Sequence, residues 1–432
     1  MDCNSSVGEL LNLPSELLEH VLSFLDPYDL VAFGLVCKYA ATVISPSNQL
    51  VWRHAFLHIF DDPSKAWSAL LPSARSANAP NETSWNWHSK TRERCTALKA
   101  MTTADKVYRR QNLDLATNAL VEIIETAYSS PSTNRTSKET QVDCERRRSI
   151  SIRTLQEAFL TSRGAERVIH DFNADYTLLP SVSSELLPSH PGRPVTRSRV
   201  LERKHVSENA SKLHTFFGLT KRERRSDYSQ GQARCIVYDW HQTGPETDYG
   251  PYKDIKSGQW GQVNWKSLEA VSSLIIRHME LLANDQMTFP QGFKYALPYQ
   301  IPADPARPED WAGVTGNWLG TYSFLDWTVL HHFNVHLYEN GGRASLDACD
   351  EARGDLMHLE LHLDDSVKTD ARLATKMPVC EDLPMLYFKG TSRGTGATRP
   401  YIHVRGTASL LPGARQVRWR IIIRSVDRRP WT

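Results

Sequence analysis

The chain lacks any apolar run of about eighteen residues, so no segment is expected to cross a bilayer as a helix. It opens Met1-Asp2-Cys3-Asn4, with no basic stretch leading into an apolar one, so no signal peptide is expected. It has no Cys-x-x-Cys. Its seven cysteines, Cys3, Cys37, Cys95, Cys144, Cys235, Cys349 and Cys380, are scattered and odd in number, which excludes a disulfide framework or zinc ribbon as the organising device. Four glycosylation sequons, at Asn4, Asn81, Asn134 and Asn209, read as chance matches in a reducing compartment. The expectation is an intracellular protein, cytoplasmic and/or nuclear. A net charge of +2 gives no argument for a nucleic-acid partner. G-x-S-x-G, P-loop and G-x-G-x-x-G motifs are missing; Gly394-Thr395-Gly396 lacks the third glycine. No catalytic residues, no metal and no cofactor are expected, and the chain is not expected to be an enzyme.

What is present points elsewhere. The 432 residues have room for two or three domains, and 40% apolar residues with twelve tryptophans argue for packed cores. Near the N-terminus Leu17, Leu18, Val21, Leu22 and Leu25 recur at helical spacing, with Pro14 suited to the first turn. Asp26-Pro27 ends that helix and starts the next, Asp26 as cap and Pro27 at the first position. Leu30, Val31, Phe33, Leu35 and Val36 add apolar surface. Three short helices in under fifty residues cannot enclose all of it, so the segment needs a partner.

Leu13-Pro14-x-Glu16-Leu17-Leu18, Leu25-Asp26-Pro27-x-Asp29-Leu30, Val36-Cys37-Lys38 and Val51-Trp52-Arg53 together resemble an F-box over residues 10–58, with Val51 where that family often has leucine. The resemblance implies docking to the Skp adaptor of a cullin ubiquitin ligase, through Leu13, Pro14, Leu17, Leu18, Val21, Leu22, Leu25, Leu30, Val36 and Trp52.

Residues 59–310 read as a helical middle region with loops. His58–Trp87 is expected to be irregular, with prolines at 63, 72 and 80. Thr91–Tyr128 is expected to be helical, Ser129–Arg148 a polar loop, and Thr154–Leu160 with Glu166–Phe172 a helical pair. Ser181–Lys204 reads as a linker. The basic stretch Arg193–Arg225 and Arg146-Arg147-Arg148-Ser149 read as solvated segments rather than import or kinase signals. Asn264 can cap a helix carrying the stripe Leu268, Val271, Ile275, Met279 and Leu282, expected to pack against the C-terminal domain.

From about Trp311 the period switches to two. Candidate strands are Asn317–Leu325, Trp327–Tyr338, Asp355–Leu363, Leu383–Thr391, Tyr401–Ala408 and Gln416–Ser425, a barrel or sandwich over 311–432. His358, Glu360 and His362 share one strand face; with His332 and His336 on a neighbouring strand they could bind a metal, but an outer polar face explains them without one. Asp364-Asp365 reads as a turn. The strand Val417–Ile423 is expected to be an edge of an incompletely closed barrel, with Arg418, Arg420, Arg424, Arg428 and Arg429 discouraging self-pairing.

Gly316-Asn317-Trp318 with Gly320-Thr321-Tyr322 resembles the Gly-x-Trp strand of lipocalin-like barrels, which implies that Gly316, Trp318, Gly320 and Tyr322 shape the barrel floor. Together with the N-terminal segment the chain resembles the F-box-only thirty-one type and its fungal relatives. The overall expectation is α+β: a three-helix F-box, a helical middle region and a C-terminal antiparallel β-barrel. The expected function is the substrate-recognition subunit of a Skp–cullin–F-box ligase, with an unknown protein substrate and no nucleic-acid or membrane partner. The alternative is a scaffold or sensor whose barrel binds a small apolar ligand.

Overall fold

A computed structural model describes residues 10–78, 85–128, 149–161, 168, 208–221, 223–282, 307–339, 346, 349, 351–354, 356–394 and 402–425. These fall into two compact units. The first holds the described residues up to Ala69 and from Asn78 to 168; the second holds Leu70–Ala77 and the described residues from 208 onward. The polar loop 129–148, the linker 181–204 and all of 166–172 except Val168 lie outside the described residues.

The first unit is helical. Helix α1 (Ser15–Leu22) starts one residue after Pro14, which is extended at ψ 144° while its carbonyl accepts from the Leu17 and Leu18 amides, both at 3.0 Å. Helix α2 (Pro27–Gly34) begins as its sequence dictates: Asp26 Oδ1 accepts from the Tyr28 and Asp29 amides at 2.7 and 2.9 Å, with Pro27 in the first turn. Helices α3 (Lys38–Val43) and α4 (Gln49–Ile59) follow. The stretch expected to be irregular instead forms two short helices, α5 (Pro63–Ser68) and α6 (Pro72–Asn78), because Pro63 and Pro72 both occupy helix starts; α6 belongs to the second unit up to Ala77. Helices α7 (Trp87–Thr102), α8 (Lys106–Gln111), α9 (Leu113–Glu125) and α10 (Ile150–Thr161) complete the first unit and agree with the helical reading of 91–128 and 154–160.

Two polar residues organise this unit. Arg94 on α7 is fully buried, with its guanidinium 4.7, 5.2 and 5.7 Å from the ring centres of Phe56, Phe60 and Trp85. Its Nη2 donates to Glu122 Oε1 at 3.0 Å and Thr126 Oγ1 at 2.8 Å, which ties α7 to α9. Asp61, just beyond α4, accepts from the Ile150 amide at 2.9 Å, the Tyr128 amide at 3.0 Å and the Ser149 hydroxyl. The start of α10 is thereby held at the end of α4.

The second unit mixes helices and sheet. Helices α11 (Glu208–Phe217), α12 (Asp227–Val237), α13 (Trp240–Thr243) and α14 (Trp265–Leu282) lead into strands β1 (Gly316–Gly320) and β2 (Ser323–Phe324). Then come helix α15 (Trp327–Glu339) and strands β3 (Ala352–Arg353), β4 (Met357–Leu363), β5 (Leu386–Gly394), β6 (Ile402–Leu410) and β7 (Val417–Ser425). Five strands make an antiparallel sheet in the order β1-β4-β5-β6-β7, while β2 and β3 pair separately. The sheet curls into a half-barrel. Strands β1 and β7 lie at opposite ends of the order, yet the rings of Trp318 and Trp419 meet across them at 5.2 Å. Phe388, fully buried on β5, packs against Trp419 at 5.5 Å and directly over Gly406.

Two expected strands are corrected. Trp327–Tyr338 is helix, not strand. Its β-branched and aromatic residues alternate well, but Asp326 Oδ1 accepts from the Val329 amide at 2.8 Å, and Val329, Leu330 and Phe333 turn together toward Cys235 and Tyr238. His332 and His336 therefore lie on α15 rather than beside β4. Asn317–Leu325 is broken at Thr321-Tyr322, where the Tyr322 carbonyl accepts from the Gly354 amide at 2.9 Å and starts the smaller sheet.

The stripe expected on α14 is also displaced. Leu268, Val271, Ile275, Met279 and Leu282 are only partly buried, and the deepest positions are Ser267, Glu269, Ala270, Leu274 and His278. Buried polar groups explain the shift. Asn264 caps the helix as expected, accepting from the Ser267 amide at 3.2 Å. His214 lies between Glu269 and Glu223, with Glu223 Oε2 at 2.9 Å from its Nε2. Burial holds the Glu269 carboxyl well above the usual carboxylate range. Burial also opposes ionisation of Glu223, but His214 and the Thr220 amide and hydroxyl outweigh it and hold that carboxyl down at about 2. Glu351 is similarly held at about 2, where bonds from His278 and Arg234 outweigh burial; Arg234 Nε and Nη2 reach its oxygens at 2.6 and 3.1 Å.

Two predictions follow from these contacts. Glu223 and Glu351 both titrate below their unfolded values, so their contribution is present above about 4.5 and is lost as pH falls toward about 2. The melting temperature should drop steeply across that window in a circular-dichroism pH series, and a flat profile there would refute the assignment. Separately, a Cβ at Gly406 would come within 2.3 Å of the Phe388 ring and 2.5 Å of the Arg420 carbonyl. Gly406→Ala should cost about 1–3 kcal/mol in urea denaturation.

Candidate partner-binding surface

Helices α1 to α4 divide their apolar residues between two faces. Leu18, Leu22, Leu30, Val51, Trp52 and Ala55 form a closed core, with Leu13, Leu25 and Phe33 packed against its edge. Trp52 is fixed by its indole N–H, which donates to the Ile44 carbonyl at 3.0 Å. Asn48 caps α4 and donates to Glu19 Oε1 at 2.8 Å and the Val43 carbonyl at 2.9 Å, fastening α1 to the turn between α3 and α4. His58 Nε2 lies 2.8 Å from the Ser23 carbonyl and ties the end of α1 to α4.

The remaining apolar side chains point outward. On α1, Leu17 and Val21, followed by Phe24, are exposed at helical spacing; on α2, Tyr28, Val31 and the adjoining Leu35 repeat the pattern, with Leu35 84% exposed. The Tyr28 hydroxyl bonds with Cys95 of α7, so only its ring is open. Val36, Tyr39 and Leu50 extend the exposed set. The single apolar face read from Leu17, Leu18, Val21, Leu22 and Leu25 is thus two faces, one inward and one outward. Of the residues expected to contact an adaptor or support that contact, Pro14, Leu17, Val21 and Val36 are exposed, Leu13 and Leu25 are half-buried, and Leu18, Leu22, Leu30 and Trp52 are core. The sequence reading left out Phe24 and Tyr28; spacing from Leu17 and Val21 was the signal that would have found Phe24. Helices apolar on both faces bury one against their own core and leave the other for a partner.

The other candidate positions lie in the second unit. Trp318 is 40% exposed and donates from its indole N–H to the Val314 carbonyl at 2.9 Å. Gly316 has φ 149°, and Gly320 would set a Cβ 3.6 Å from Leu359. The Tyr322 ring lies against Gly354, where a Cβ would come within 2.4 Å of it. His358, Glu360 and His362 point outward from β4 and alternate with Met357, Leu359 and Leu361, of which Met357 and Leu361 are buried. Among the described residues no group of three histidine, cysteine or acidic side chains could hold a metal ion. Asp364 accepts from the Ser366 amide at 2.7 Å, a turn contact as expected.

The division of faces makes a stability prediction. Leu18→Ala should cost about 2–5 kcal/mol by urea denaturation, as buried leucine truncations do. Leu17→Ala should change stability by less than about 0.5 kcal/mol. Equal costs at both positions would mean that Leu17 is covered.

Comparison with known proteins agrees with this region. A family model described as F-box-like matches residues 10–58. The F-box/WD repeat-containing protein pof10 of Schizosaccharomyces pombe is 41% identical over 68 residues, 16% of this chain. The chain spans about 10% of the length of that relative. No solved structure matches. Among the described residues no helix is long and apolar enough to cross a membrane. The N-terminal helices of this chain are therefore an F-box-like domain.

Proposed function

We propose that this protein is the substrate-recognition subunit of a Skp–cullin–F-box ubiquitin ligase. One observation carries the reading: an F-box-like domain whose helices α1 and α2 leave Leu17, Val21 and Phe24, then Tyr28, Val31 and Leu35, open to solvent around a well-packed core. In this reading the stripe docks the Skp adaptor, and the adaptor brings the cullin. The protein forms no covalent bond itself. It holds a target near the conjugating enzyme and so raises the local concentration of acceptor lysines. The second unit takes the target, with its curled sheet as a lipocalin-like half-barrel of the kind found in the F-box-only thirty-one type. The protein works in the cytoplasm, the nucleus or both.

The test is a pull-down of the full chain with the Skp adaptor and cullin. Leu17→Asp places an unpaired charge on the proposed contact, at a position where it disturbs no core packing. Adaptor recovery should fall by about tenfold or more, while circular dichroism and melting temperature stay at wild-type values. Recovery at wild-type yield would overturn the reading. Removing residues 312–432 is not a clean test of target capture, because Arg234 on α12 is paired with Glu351 inside the second unit.

A further inference from the structure

The second unit also contains a hollow that the proposed function does not use. It has a volume of about 660 Å³ and is bounded by α12 and α13, the loop Gly244–Pro251, α14, and the segment from Leu325 to Leu330. Trp240, Tyr249 and Trp327 stand around it, with Val271, Leu325 and Leu330 among the residues of its wall. Among the described residues no charged side chain lines it. Of the two hydroxyls in the lining, one belongs to Tyr249, and the other, Thr243 Oγ1, donates toward the Val237 carbonyl at 2.8 Å and lies 3.1 Å from the Asp239 carbonyl. All three aromatic side chains remain exposed, Tyr249 at 74% and Trp327 at 67%. Trp240 and Trp327 each meet the His331 ring, at 6.3 and 6.2 Å, yet keep large apolar areas exposed around the hollow.

A second, independent observation lies in the backbone at the rim. Asp248 and Tyr249 are consecutive non-glycine residues in the left-handed region, at φ 53° and 57°. Aspartate tolerates that conformation; tyrosine rarely adopts it, and each such residue costs about 1–3 kcal/mol unless its surroundings enforce it. Here they do. The Asp248 carboxylate pairs with buried Arg418 of β7 and lies 3.5 Å from Arg420, and the Tyr249 amide donates to the Gly244 carbonyl at 2.9 Å. Arg418 also donates to Thr375 Oγ1 at 2.7 Å, and its guanidinium lies 5.4 Å from the Tyr252 ring centre. It is thus a buried anchor for the loop rather than the outward charge expected of it. The strain holds the Tyr249 ring at the mouth of the hollow.

We propose that this hollow binds an uncharged, apolar small molecule that carries an aromatic ring. The volume is in the range of small-ligand sites, about 300–1,000 Å³. A peptide threaded through it would bury N–H and C=O groups against side chains that are almost all apolar, and each such group without a partner is costly. An apolar molecule makes no such demand, and offset or edge contacts with Trp240 and Trp327 suit an aromatic ring. The proposal does not depend on the ubiquitin-ligase reading, and its test does not involve the adaptor.

The probe is N-phenyl-1-naphthylamine, an uncharged aromatic fluorophore, titrated into the full chain. Saturable one-to-one binding in the low micromolar range is expected. Trp240→Ala should weaken it by about tenfold. Tyr249→Gly removes the ring and relieves the left-handed strain together, so affinity should fall by about fivefold while the melting temperature does not fall by more than about 2 °C. That pairing is one that a merely structural tyrosine would not give. Val107→Ala, an exposed apolar side chain on α8, should leave binding unchanged. Non-saturable binding, or affinity unchanged in both Trp240→Ala and Tyr249→Gly, would overturn the proposal. Displacement of the probe by short apolar peptides but not by a panel of neutral aromatic molecules would also overturn it, and would assign the hollow to protein side chains.

Discussion

The N-terminal domain is governed by an excess of apolar side chains over the interior that four short helices can make. An eight-residue helix such as α1 presents two or three side chains to a core. Once Leu18 and Leu22 take those places, Leu17, Val21 and Phe24 have nowhere to go but out. The inward set is then fixed by directional contacts: Asn48 reaches Glu19, Trp52 reaches the Ile44 carbonyl, and His58 reaches the Ser23 carbonyl. Those contacts fix the backbone that carries the outward stripe, so a partner docking on it would have side chains rather than helices to order.

The second unit meets the opposite difficulty, with charge inside. Arg234, His278 and Glu351 form one buried set, and His214, Glu223 and Glu269 form another. In the second set burial pushes the Glu269 carboxyl up, while His214 and Thr220 outweigh burial and hold Glu223 down, so the two carboxyls beside one imidazole are driven apart. Such sets contribute little net stability against apolar replacements, but breaking one partner strands the other. Their effect here is positional. Arg234 draws residues 346 and 351 onto α12, and His278 draws Ser323 onto α14. The small β2–β3 sheet is thereby tied to α12 and α14.

Legibility in the sequence followed this division. Proline and aspartate at fixed offsets stated the starts of α1 and α2 to within a residue, and period-two alternation located β4 and β5, which alternate in burial. Strands β6 and β7 were located by their apolar and β-branched residues, although β6 is buried on both faces over 406–410. Helix α15 was missed because Trp327, Val329, Phe333 and Val335 alternate as a strand would, and only Asp326 as a cap argued otherwise. The buried face of α14 was misplaced by one position because Glu269 and His278 are polar, and their partners lie at distant sequence positions. Arg94 and Arg418 could not have been singled out among the chain's basic residues, since their aromatic and carboxylate neighbours come from separate elements. The exposed stripe was half legible: helical spacing shows two faces, but only packing shows which is inward.

Arg418 joins features that the sequence keeps far apart. Its strand is an edge of the half-barrel, and its neighbour Trp419 faces inward to meet Trp318 and Phe388. With the concave side so occupied, alternation requires Arg418 to face the convex side. There it is buried, and a buried guanidinium must be paired. Asp248 supplies the pair at the cost of a left-handed backbone, and the strain passes to Tyr249. The curl of the sheet and the rim of the apolar hollow are therefore not independent features. A substitution that flattens the Trp318–Trp419 contact would release the loop as well as the sheet edge. The position of Tyr249 is thus set from the barrel side, by the strand that completes the curl.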